Sequence, residues 1–398
     1  MKKISLLILT FISLLPSGMG QRILLSSSES KNELYLDPNR FYSYNLYEKS
    51  RWGVGLGYDI KLGRPSRPGL TLLSLGVYGV WGYEDQRLKW GGNVGLKGLS
   101  KSGKKYHTYV DVFHDLTPPG TRNMGTFELL QFTETGNFMT RRFNDTWRVT
   151  AGVSRMKTAK LQETLELRWS RERELWSGNS LIYPASGAEL RSMPHADFAE
   201  LRLYVAHTSG LSGELLAGTM TPWKKYFARL LLQYGHRFFF DPLTLDLFAQ
   251  SGIVNDDAPY SRCFDLGGTW GSPLALERSL LTARPNEFTA NVFGLVTLKL
   301  SLKNPLVDYY HNVLLVGTSP RPFVMCNAAW GTVDKSSSLQ APDKGILEVG
   351  GGVDGLLVWG SVQWGAAVAY RLTPTSAAYH LPATEDNFVF LLTAKLGI

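Results

Sequence analysis

Apolar and polar residues alternate along the chain with a period of two in one segment after another. In RWGVGLGYDIKLG, residues 51–63, every second residue from Trp52 to Leu62 is apolar, and the residues between them are charged or glycine. This period predicts a β-strand with one apolar face and one polar or small face. The alternation recurs in segments such as DTWRVTAGVSR at 145–155 and FAELRLYVAH at 198–207.

The alternating segments are longer than the strands of most soluble proteins. A tilted strand crosses a membrane with about 9–11 residues, whereas a soluble strand has about 5–6. The polar rows carry charged residues at mid-strand, which suits the lumen of a barrel and is costly on a lipid face. We therefore predict an all-β fold, a single antiparallel transmembrane β-barrel of about fourteen strands within a range of about twelve to sixteen.

The pattern also sets out the order of the predicted elements. The strands are predicted to begin near residues 51, 69, 86, 104, 143, 160, 196, 225, 242, 286, 310, 345, 361 and 386, with a weaker candidate at 124–135. The barrel covers residues 46–398 and follows a tail or plug at 21–45. GYEDQ near Asp85 and FFDP near Asp241 are predicted to be periplasmic turns, and 255–285 is predicted to be an extracellular or lumen-entering loop.

The N-terminus has the features of a leader sequence. Lys2 and Lys3 precede a short apolar run at 4–15, and the small residues Gly18 and Gly20 suit cleavage before Gln21. We expect residues 1–20 to be a signal peptide. Because no later apolar run has the length of a membrane-spanning helix, we expect an outer-membrane barrel of a Gram-negative bacterium, in contact with outer-membrane lipid.

Composition agrees with this prediction and excludes other classes of protein. Charged residues make up 19% of the chain, and the mean hydropathy of −0.11 fits a barrel because alternating strands dilute the apolar signal. The formal net charge of +8 is scattered, so no nucleic-acid partner is expected. Cys263 and Cys326 either form one disulfide or remain free.

No pattern of residues predicts catalysis. The seven histidines are dispersed, and His207 with the nearby Ser209 lacks a matched acid at strand spacing. Metal-binding spacings of histidines or paired cysteines are missing from the sequence. We therefore expect a protein that is not an enzyme, with no catalytic residues, no bound metal and no cofactor.

The charged positions of the polar rows are the main candidate functional residues. They are predicted to face the lumen and comprise Arg51, Asp59, Lys61, Arg87, Lys89, Arg148, Glu166, Glu200, Arg229, Arg237, Asp246, Glu348 and Arg371. One interpretation is a network of ion pairs that fills and stiffens a narrow barrel. The other is a cation-lined pore that favours anionic solutes.

Residues 251–303 resemble part of a known family of barrels. The matching elements are Gly252 before the Pro259–Tyr260 step, an F-x-L-G element from Phe264 to Gly267, and an R-P-N-E-F strand entry from Arg284 to Phe288. The chain resembles the C-terminal barrel of an exported family of unknown function, whose full-length members join a carboxypeptidase-like regulatory domain to an outer-membrane barrel. The resemblance implies a lumen-loop candidate of Phe264, Leu266, Gly267, Arg284 and Glu287.

That family is distantly similar to the superfamily of outer-membrane assembly and two-partner-secretion barrels. Those barrels place an R-G-F/Y tripeptide in a loop that reaches into the lumen, whereas TWGSPLALERS at 269–279 contains no such tripeptide. The regulatory domain also has no counterpart in the sequence. The resemblance implies a role in protein or lipid assembly or translocation, with a periplasmic or surface protein as partner. The alternatives are a passive or anion-preferring pore and a structural scaffold barrel.

Overall fold

The computed structural model describes fifteen stretches of the chain. They are residues 23–27, 32–37, 42–45, 48–63, 68–117, 142–176, 195–221, 224–259, 262–265, 280–282, 289–311, 316–332, 345–359, 362–373 and 388–396. The predicted signal peptide and the weak strand candidate at 124–135 lie outside these residues.

The described residues form strands joined by turns and loops. The first eleven strands are β1 Ile23–Ser27, β2 Asn32–Asp37, β3 Tyr42–Asn45, β4 Lys49–Lys61, β5 Gly69–Gly82, β6 Leu88–Leu99, β7 Lys105–Thr117, β8 Arg142–Met156, β9 Leu161–Trp176, β10 Ala196–His207 and β11 Leu211–Thr221. The others are β12 Lys225–Phe240, β13 Leu243–Val254, β14 Phe264–Asp265, β15 Thr289–Ala290, β16 Val292–Leu302, β17 Tyr309–His311, β18 Val316–Thr318, β19 Arg321–Thr332, β20 Ile346–Trp359, β21 Val362–Arg371 and β22 Phe388–Leu396.

Twenty of these strands belong to one antiparallel sheet, and β14 pairs only with β15. Neighbours in sequence pair from β4 to β13, and β13 is followed across the sheet by β16, β19, β20, β21 and β22. At the start, β2 and β3 pair with the two halves of β4, and β1 pairs with β2. The described parts of 21–45, predicted to be a tail or plug, are therefore strands of the main sheet.

The two faces of the sheet differ as the alternation predicts. On β4 the outward side chains Trp52, Val54 and Leu56 are 40–48% exposed, whereas the inward Arg51 and Asp59 are 4% and 5% exposed. Along the other strands, too, large apolar residues are exposed outward and many charged residues are buried inward. This inverted distribution is typical of a sheet that faces lipid on one side and a polar interior on the other.

The number of strands differs from the predicted fourteen, which is not confirmed. Fifteen strands of the described residues have nine or more residues, and β2 with β3 adds a further, broken position beside β4. The prediction missed β11, whose sequence LSGELLAGTMT includes small residues in both rows. Glycine and threonine on a half-buried strand weaken the apolar alternation without preventing strand pairing.

Successive connections lie at alternate ends of the strands. One end, here called the loop rim, carries the long connections 118–141, 177–195, 255–291, 333–345 and 374–387, and the opposite end, the turn rim, carries shorter ones such as 157–160 and 208–210. The turns near Asp85 and Asp241 were both predicted to be periplasmic. Seven strands separate these turns, so they lie on opposite rims and that prediction is wrong for one of them.

Apolar side chains fill part of the interior. One cluster joins Phe264 and Leu280 of the loop to Phe293 and Leu295 of β16, and a second joins Leu281 to Phe323 of β19. Between β13 and β16 the chain thus packs against the inward face of the sheet. Within the described stretches, no helix is long and apolar enough to cross a membrane.

Candidate functional site

The loop between β13 and β16, here called the interior loop (255–291), folds back into the space that the inward faces line. Asn255 fixes its start, because the Asn255 side chain accepts a hydrogen bond from the Ala228 amide at 2.8 Å and donates one to the Tyr226 carbonyl at 3.0 Å. Further on, Cys263 and Phe264 are each 1% exposed. The predicted lumen-entering loop is therefore exposed at its start, residues 255–257, and buried at 259, 262–264, 280 and 281.

Arg262 holds this part of the loop to the wall. Its Nη1 and Nη2 bond the two carboxylate oxygens of Glu172 on β9 at 3.0 and 2.8 Å, and its Nε bonds Glu200 on β10 at 2.5 Å. The guanidinium lies 4.2 Å from the centre of the Phe198 ring. The planar fork of arginine matches a carboxylate in this two-bond arrangement. We call this contact the arginine anchor.

The arginine anchor is electrostatically compensated. Burial disfavours the charged form of Arg262, but the carboxylates of Glu172 and Glu200 outweigh burial and keep the Arg262 pKa above its ordinary value. A buried ion pair of this kind contributes little net stability, yet removing one partner is strongly destabilising because it leaves a buried charge uncompensated. The loop is therefore held by a contact that tolerates no loss of charge.

Further ion pairs extend from the arginine anchor along the inward face of β8 to β12. These pairs are Arg148–Glu172 at 3.3 Å, Arg202–Glu166 at 3.2 Å, Arg202–Glu214 at 2.6 Å, and Arg168–Glu166 and Arg229–Glu214. Arg229 also lies 5.7 Å from the Phe264 ring. Among the described residues, its Nε and Nη1 atoms have no hydrogen-bond partner. The wall thus carries a charge ladder in two groups. One group is bonded to Arg262 through Glu172 and Glu200, and the other joins Arg168 to Arg229 through Glu166, Arg202 and Glu214.

A second contact holds the returning part of the loop to the opposite wall. The amides of Leu281 and Thr282 donate to the Glu348 carboxylate on β20 at 2.8 and 2.9 Å, and the Thr282 hydroxyl also donates to it. Arg371 on β21 donates to the Thr282 carbonyl at 2.8 Å and to its hydroxyl at 2.9 Å. We call this contact the threonine anchor.

The two anchors together show how strongly the sheet curves. Glu172 and Glu200 lie on neighbouring strands β9 and β10, whereas Glu348 and Arg371 lie on β20 and β21, well apart in strand order. One loop contacts the inward faces of both pairs of strands. The sheet therefore bends around the interior loop, which lies between facing walls.

A third group of buried charges lies on β4 to β7, away from the interior loop. Arg51 pairs with Asp115 at 2.6 Å and with Glu48 at 3.1 Å, and Lys89 pairs with Glu48 and Asp85. All five side chains are at most 9% exposed. This cluster joins neighbouring strands to one another, so we assign it to the wall and not to the loop site.

The predicted lumen charges occupy different environments along their strands. Those that are buried on the inward face are Arg51, Asp59, Lys89, Glu166, Glu200, Arg229, Glu348 and Arg371, and Arg148 is largely buried beside them. The others lie nearer the strand ends in the pairs Lys61–Glu33 at 2.5 Å, Arg87–Asp145 at 3.6 Å and Arg237–Asp246 at 2.5 Å. The pairing of these charges favours a network of ion pairs over a cation-lined pore.

The predicted loop residues are only partly described. Phe264 is buried against Phe293, with ring centres 4.6 Å apart, whereas Leu266, Gly267, Arg284 and Glu287 lie outside the described residues. Sequence reasoning sought an R-G-F/Y tripeptide in 269–279 and missed Arg262, which stands three residues after Pro259. Arg262–Cys263–Phe264 has the arginine and the aromatic residue of that tripeptide with a cysteine between them.

Glu172 and Glu214 were also missed. Glu172 continues the inward row of Glu166 at even spacing, a signal that was available in the sequence. Glu214 lies on β11, the strand that was not predicted. Thr282 gave no signal, because its backbone contacts could come from any residue and its hydroxyl contacts join it to residues 66 and 89 positions away.

The two cysteines lie on different sides of the wall. Cys263 is buried with the interior loop, and Cys326 lies on the outward row of β19 between the exposed Val324 and Trp330. They do not form a disulfide in this structure. Burial raises the pKa of the Cys263 thiol to about 12, although nearby Arg229 acts in the opposite direction.

Outside the interior loop, we looked for side chains that could take part in catalysis or metal binding. His207 Nδ1 lies 2.8 Å from the Ser209 hydroxyl in an exposed turn at the turn rim. Within the described ranges, no group of three or more histidine, cysteine or acidic side chains is placed to hold a metal ion. The interior loop and its anchors therefore form the candidate site with the most organised contacts.

Comparisons with known proteins identify the architecture. No family model matches the chain, and no curated protein matches it in sequence. Among solved structures, BamA from Haemophilus ducreyi lacking POTRA domains 1–3 matches with a TM-score of 0.51 at 10% identity, over 98% of this chain and 78% of that one. CdiB from Acinetobacter baumannii matches with a TM-score of 0.48 at 11% identity, over 92% of this chain and 59% of that one.

CdiB from Escherichia coli is similar to the same degree, with a TM-score of 0.48, 11% identity, and coverage of 93% of this chain and 64% of that one. The chain thus spans about three fifths of the length of the CdiB chains it matches. These structural neighbours are outer-membrane β-barrels of Gram-negative bacteria. The similarity to BamA gives the chain the fold of such a barrel, and membership of the carboxypeptidase-linked family stays a prediction.

Proposed function

We propose that this protein is an integral β-barrel of the outer membrane of a Gram-negative bacterium that assists the assembly or translocation of proteins or lipids there. The observation that carries the proposal is the interior loop, held between facing walls by the arginine and threonine anchors. A passive pore needs an unobstructed path for its solutes. A loop fixed inside the barrel obstructs that path. It is compatible with a barrel that assembles or translocates its substrate at the edge of the sheet or at a rim.

The fold favours this interpretation over a scaffold role. BamA has a similar fold. The inward charges hold the loop in one arrangement, and movement of the loop would require its hydrogen bonds to these charges to be replaced by others. A substrate protein or lipid that displaces the loop would meet the same charges. We propose a periplasmic or surface protein as partner, because the described chain is almost entirely barrel wall.

A deletion strain of the native bacterium tests the proposal. We expect loss of the protein to change the amounts of particular outer-membrane proteins or surface lipids, measured by quantitative mass spectrometry of isolated outer membranes. Wild-type protein should restore them, and Arg262→Glu should not, since it places a third carboxylate beside Glu172 and Glu200. Arg155→Glu is the matched control, because Arg155 forms only an exposed pair with Glu163.

The second candidate function is an anion-preferring pore, favoured by the unpartnered guanidinium atoms of Arg229 and by the unpartnered Nε of Arg148 among the described residues. Conductance in planar bilayers separates the two functions. Our proposal expects little current from the wild-type protein and larger currents from Arg262→Ala, whose loop is released. Large stable currents from the wild type that are abolished by Arg229→Glu together with Arg237→Glu would instead establish the pore.

A scaffold barrel predicts a negative result in both the deletion experiment and the conductance experiment. Unchanged outer-membrane proteins and lipids in the deletion strain, together with silent bilayers for every variant, would contradict both assembly and pore functions.

A further inference from the structure

A depression lies on the outward face of the sheet, on the side remote from the interior loop. It crosses β8 and β9 at mid-strand and β10 to β12 near the loop rim, and it has a volume of about 720 Å³, within the range of about 300–1,000 Å³ for small-molecule sites. We call it the outer groove. Its lining includes apolar outward side chains of all five strands.

Strand register explains why a depression forms here. Trp169, Ala199, Thr219 and Tyr226 are directly paired across β9 to β12, so they form one line on the outward face. Trp169 and Tyr226 are large and exposed at 45% and 72%, whereas the two residues between them are small. The line therefore has two aromatic walls and a low centre.

The next line of residues extends the low centre towards the turn rim. Leu201, Ala217 and Ala228 are paired across β10 to β12. Leu201 is large, whereas Ala217 and Ala228 are small. Small side chains let another molecule approach the backbone closely. The outer groove is thus a short slot, two lines of residues long and bounded at the sides by Trp169 and Tyr226. It ends towards the turn rim at the line of Leu203, Leu215 and Leu230.

The end of the outer groove at the loop rim is polar. Arg171 follows Trp169 on the outward row of β9 and bonds Asp197 of β10 at 2.8 and 3.2 Å. Lys224, which is exposed, stands at the loop rim two residues before Tyr226. Because Asp197 compensates the charge of Arg171, Lys224 is the basic residue available to an anion. An apolar slot with a basic residue at its loop-rim end matches the two parts of a lipid, an acyl chain and an anionic headgroup.

We propose that the outer groove binds a membrane lipid, with an acyl chain between Trp169 and Tyr226 and a phosphate-bearing headgroup at Lys224. The proposal rests on the membrane location in the proposed function and goes beyond it by assigning a ligand class to a particular place. Aromatic residues flanked by basic residues are typical of the membrane–water interface, so the headgroup end has the right depth for a phosphate.

Quenching of Trp169 by brominated lipid tests the proposal. The purified protein is reconstituted in vesicles of phosphatidylcholine with increasing fractions of acyl-brominated phosphatidylglycerol, and the Trp169 signal is the difference between the wild type and Trp169→Phe. We expect half-maximal quenching of Trp169 at a several-fold lower fraction than that of Trp330, an outward tryptophan on β19 measured in the same way with Trp330→Phe.

Variants of the outer groove show whether the effect comes from the slot. Ala217→Phe fills the slot and should bring the Trp169 curve onto the Trp330 curve, and Ala199→Leu is a milder version. Ala366→Phe, at an alanine on the outward row of β21 with intermediate exposure like Ala217, is the matched control and should change neither curve. Lys224→Gln should remove the preference for brominated phosphatidylglycerol over brominated phosphatidylcholine.

Two outcomes would overturn the proposal. Coincident wild-type curves for Trp169 and Trp330 would mean that only bulk lipid contacts the groove. An Ala217→Phe protein that is inserted, as judged by normal Trp330 quenching, but keeps tight Trp169 quenching would exclude the slot. If neither tryptophan is quenched at any lipid fraction, the membrane location fails instead, which distinguishes failure of the proposed function from failure of the groove.

Discussion

The two anchors of the interior loop hold it with opposite distributions of charge. At the arginine anchor, the loop supplies the cation Arg262 and the wall supplies two carboxylates. At the threonine anchor, the wall supplies both charges, Glu348 and Arg371, and the loop supplies two amides, a carbonyl and a hydroxyl. One end therefore depends on a single side chain, and the other depends mainly on backbone.

This difference predicts which end of the loop a substitution can release. A side chain can be removed by one mutation, whereas backbone amides remain whatever residue carries them. The arginine anchor should thus be sensitive to change on the loop, and the threonine anchor should be sensitive to change on the wall.

The largest effect is expected from Arg262→Ala, which leaves the buried Glu172 and Glu200 without their shared cation. Breaking a buried ion pair by removing one partner costs about 3–5 kcal/mol, so the free energy of unfolding in urea should fall by that amount. In a Cys326→Ser background, Cys263 should also react much faster with a maleimide, because it is 1% exposed in the intact site. An unchanged labelling rate would mean that Arg262 does not hold the loop.

Arg262→Lys sharpens this test by keeping the charge and removing the planar fork. A lysine ammonium cannot bond both oxygens of Glu172 while also reaching Glu200 as a guanidinium does. We expect a loss of about 1–3 kcal/mol in the free energy of unfolding and intermediate labelling of Cys263. A loss as large as that of Arg262→Ala would show that geometry, and not charge, decides the contact.

Glu348→Gln changes the wall side of the threonine anchor. Its amide oxygen can accept from one of the two loop amides, but its NH₂ group faces the other, which leaves a buried donor unpaired. We expect a loss of about 1–3 kcal/mol in the free energy of unfolding, with little change in Cys263 labelling because the arginine anchor is intact. Fast Cys263 labelling in this variant would show that the two anchors act as one unit.

Thr282→Val should have the smallest effect. It removes the hydroxyl contacts to Glu348 and Arg371 and keeps the backbone bonds of Leu281 and Thr282. We expect a loss of about 1 kcal/mol in the free energy of unfolding. A loss equal to that of Arg262→Ala would contradict the comparison between the anchors, since it would make the hydroxyl as important as a buried ion pair.

The sequence predicts the wall of the barrel far better than the loop site. Period-two alternation depends only on neighbours along the strand, so Trp52, Val54 and Leu56 could be assigned to the outward face without knowing which strands they pair with. The same argument identified Glu348 and Arg371 as inward charges. It failed for β11, where Gly213 and Gly218 weaken the pattern.

The anchors could not be predicted because they join residues far apart in the chain. Arg262 and Glu172 are separated by 90 positions, Leu281 and Glu348 by 67, and Thr282 and Arg371 by 89. Local patterns carry no information on which inward carboxylate a loop cation will reach. The two turns were predicted to lie on the same side because β11, which lies between Asp85 and Asp241, was not counted.

The pairing of β1 has a consequence for the parity of the sheet. Counting β2 and β3 as one, the strands from β2 to β22 form an antiparallel series of sixteen, so β22 runs opposite to β2 and in the same direction as β1. Among the described residues, the edge of β2 that faces away from β4 is paired with β1 at residues 33–36. A closed antiparallel ring of these sixteen strands would therefore require β22 to take the place of β1 on that edge.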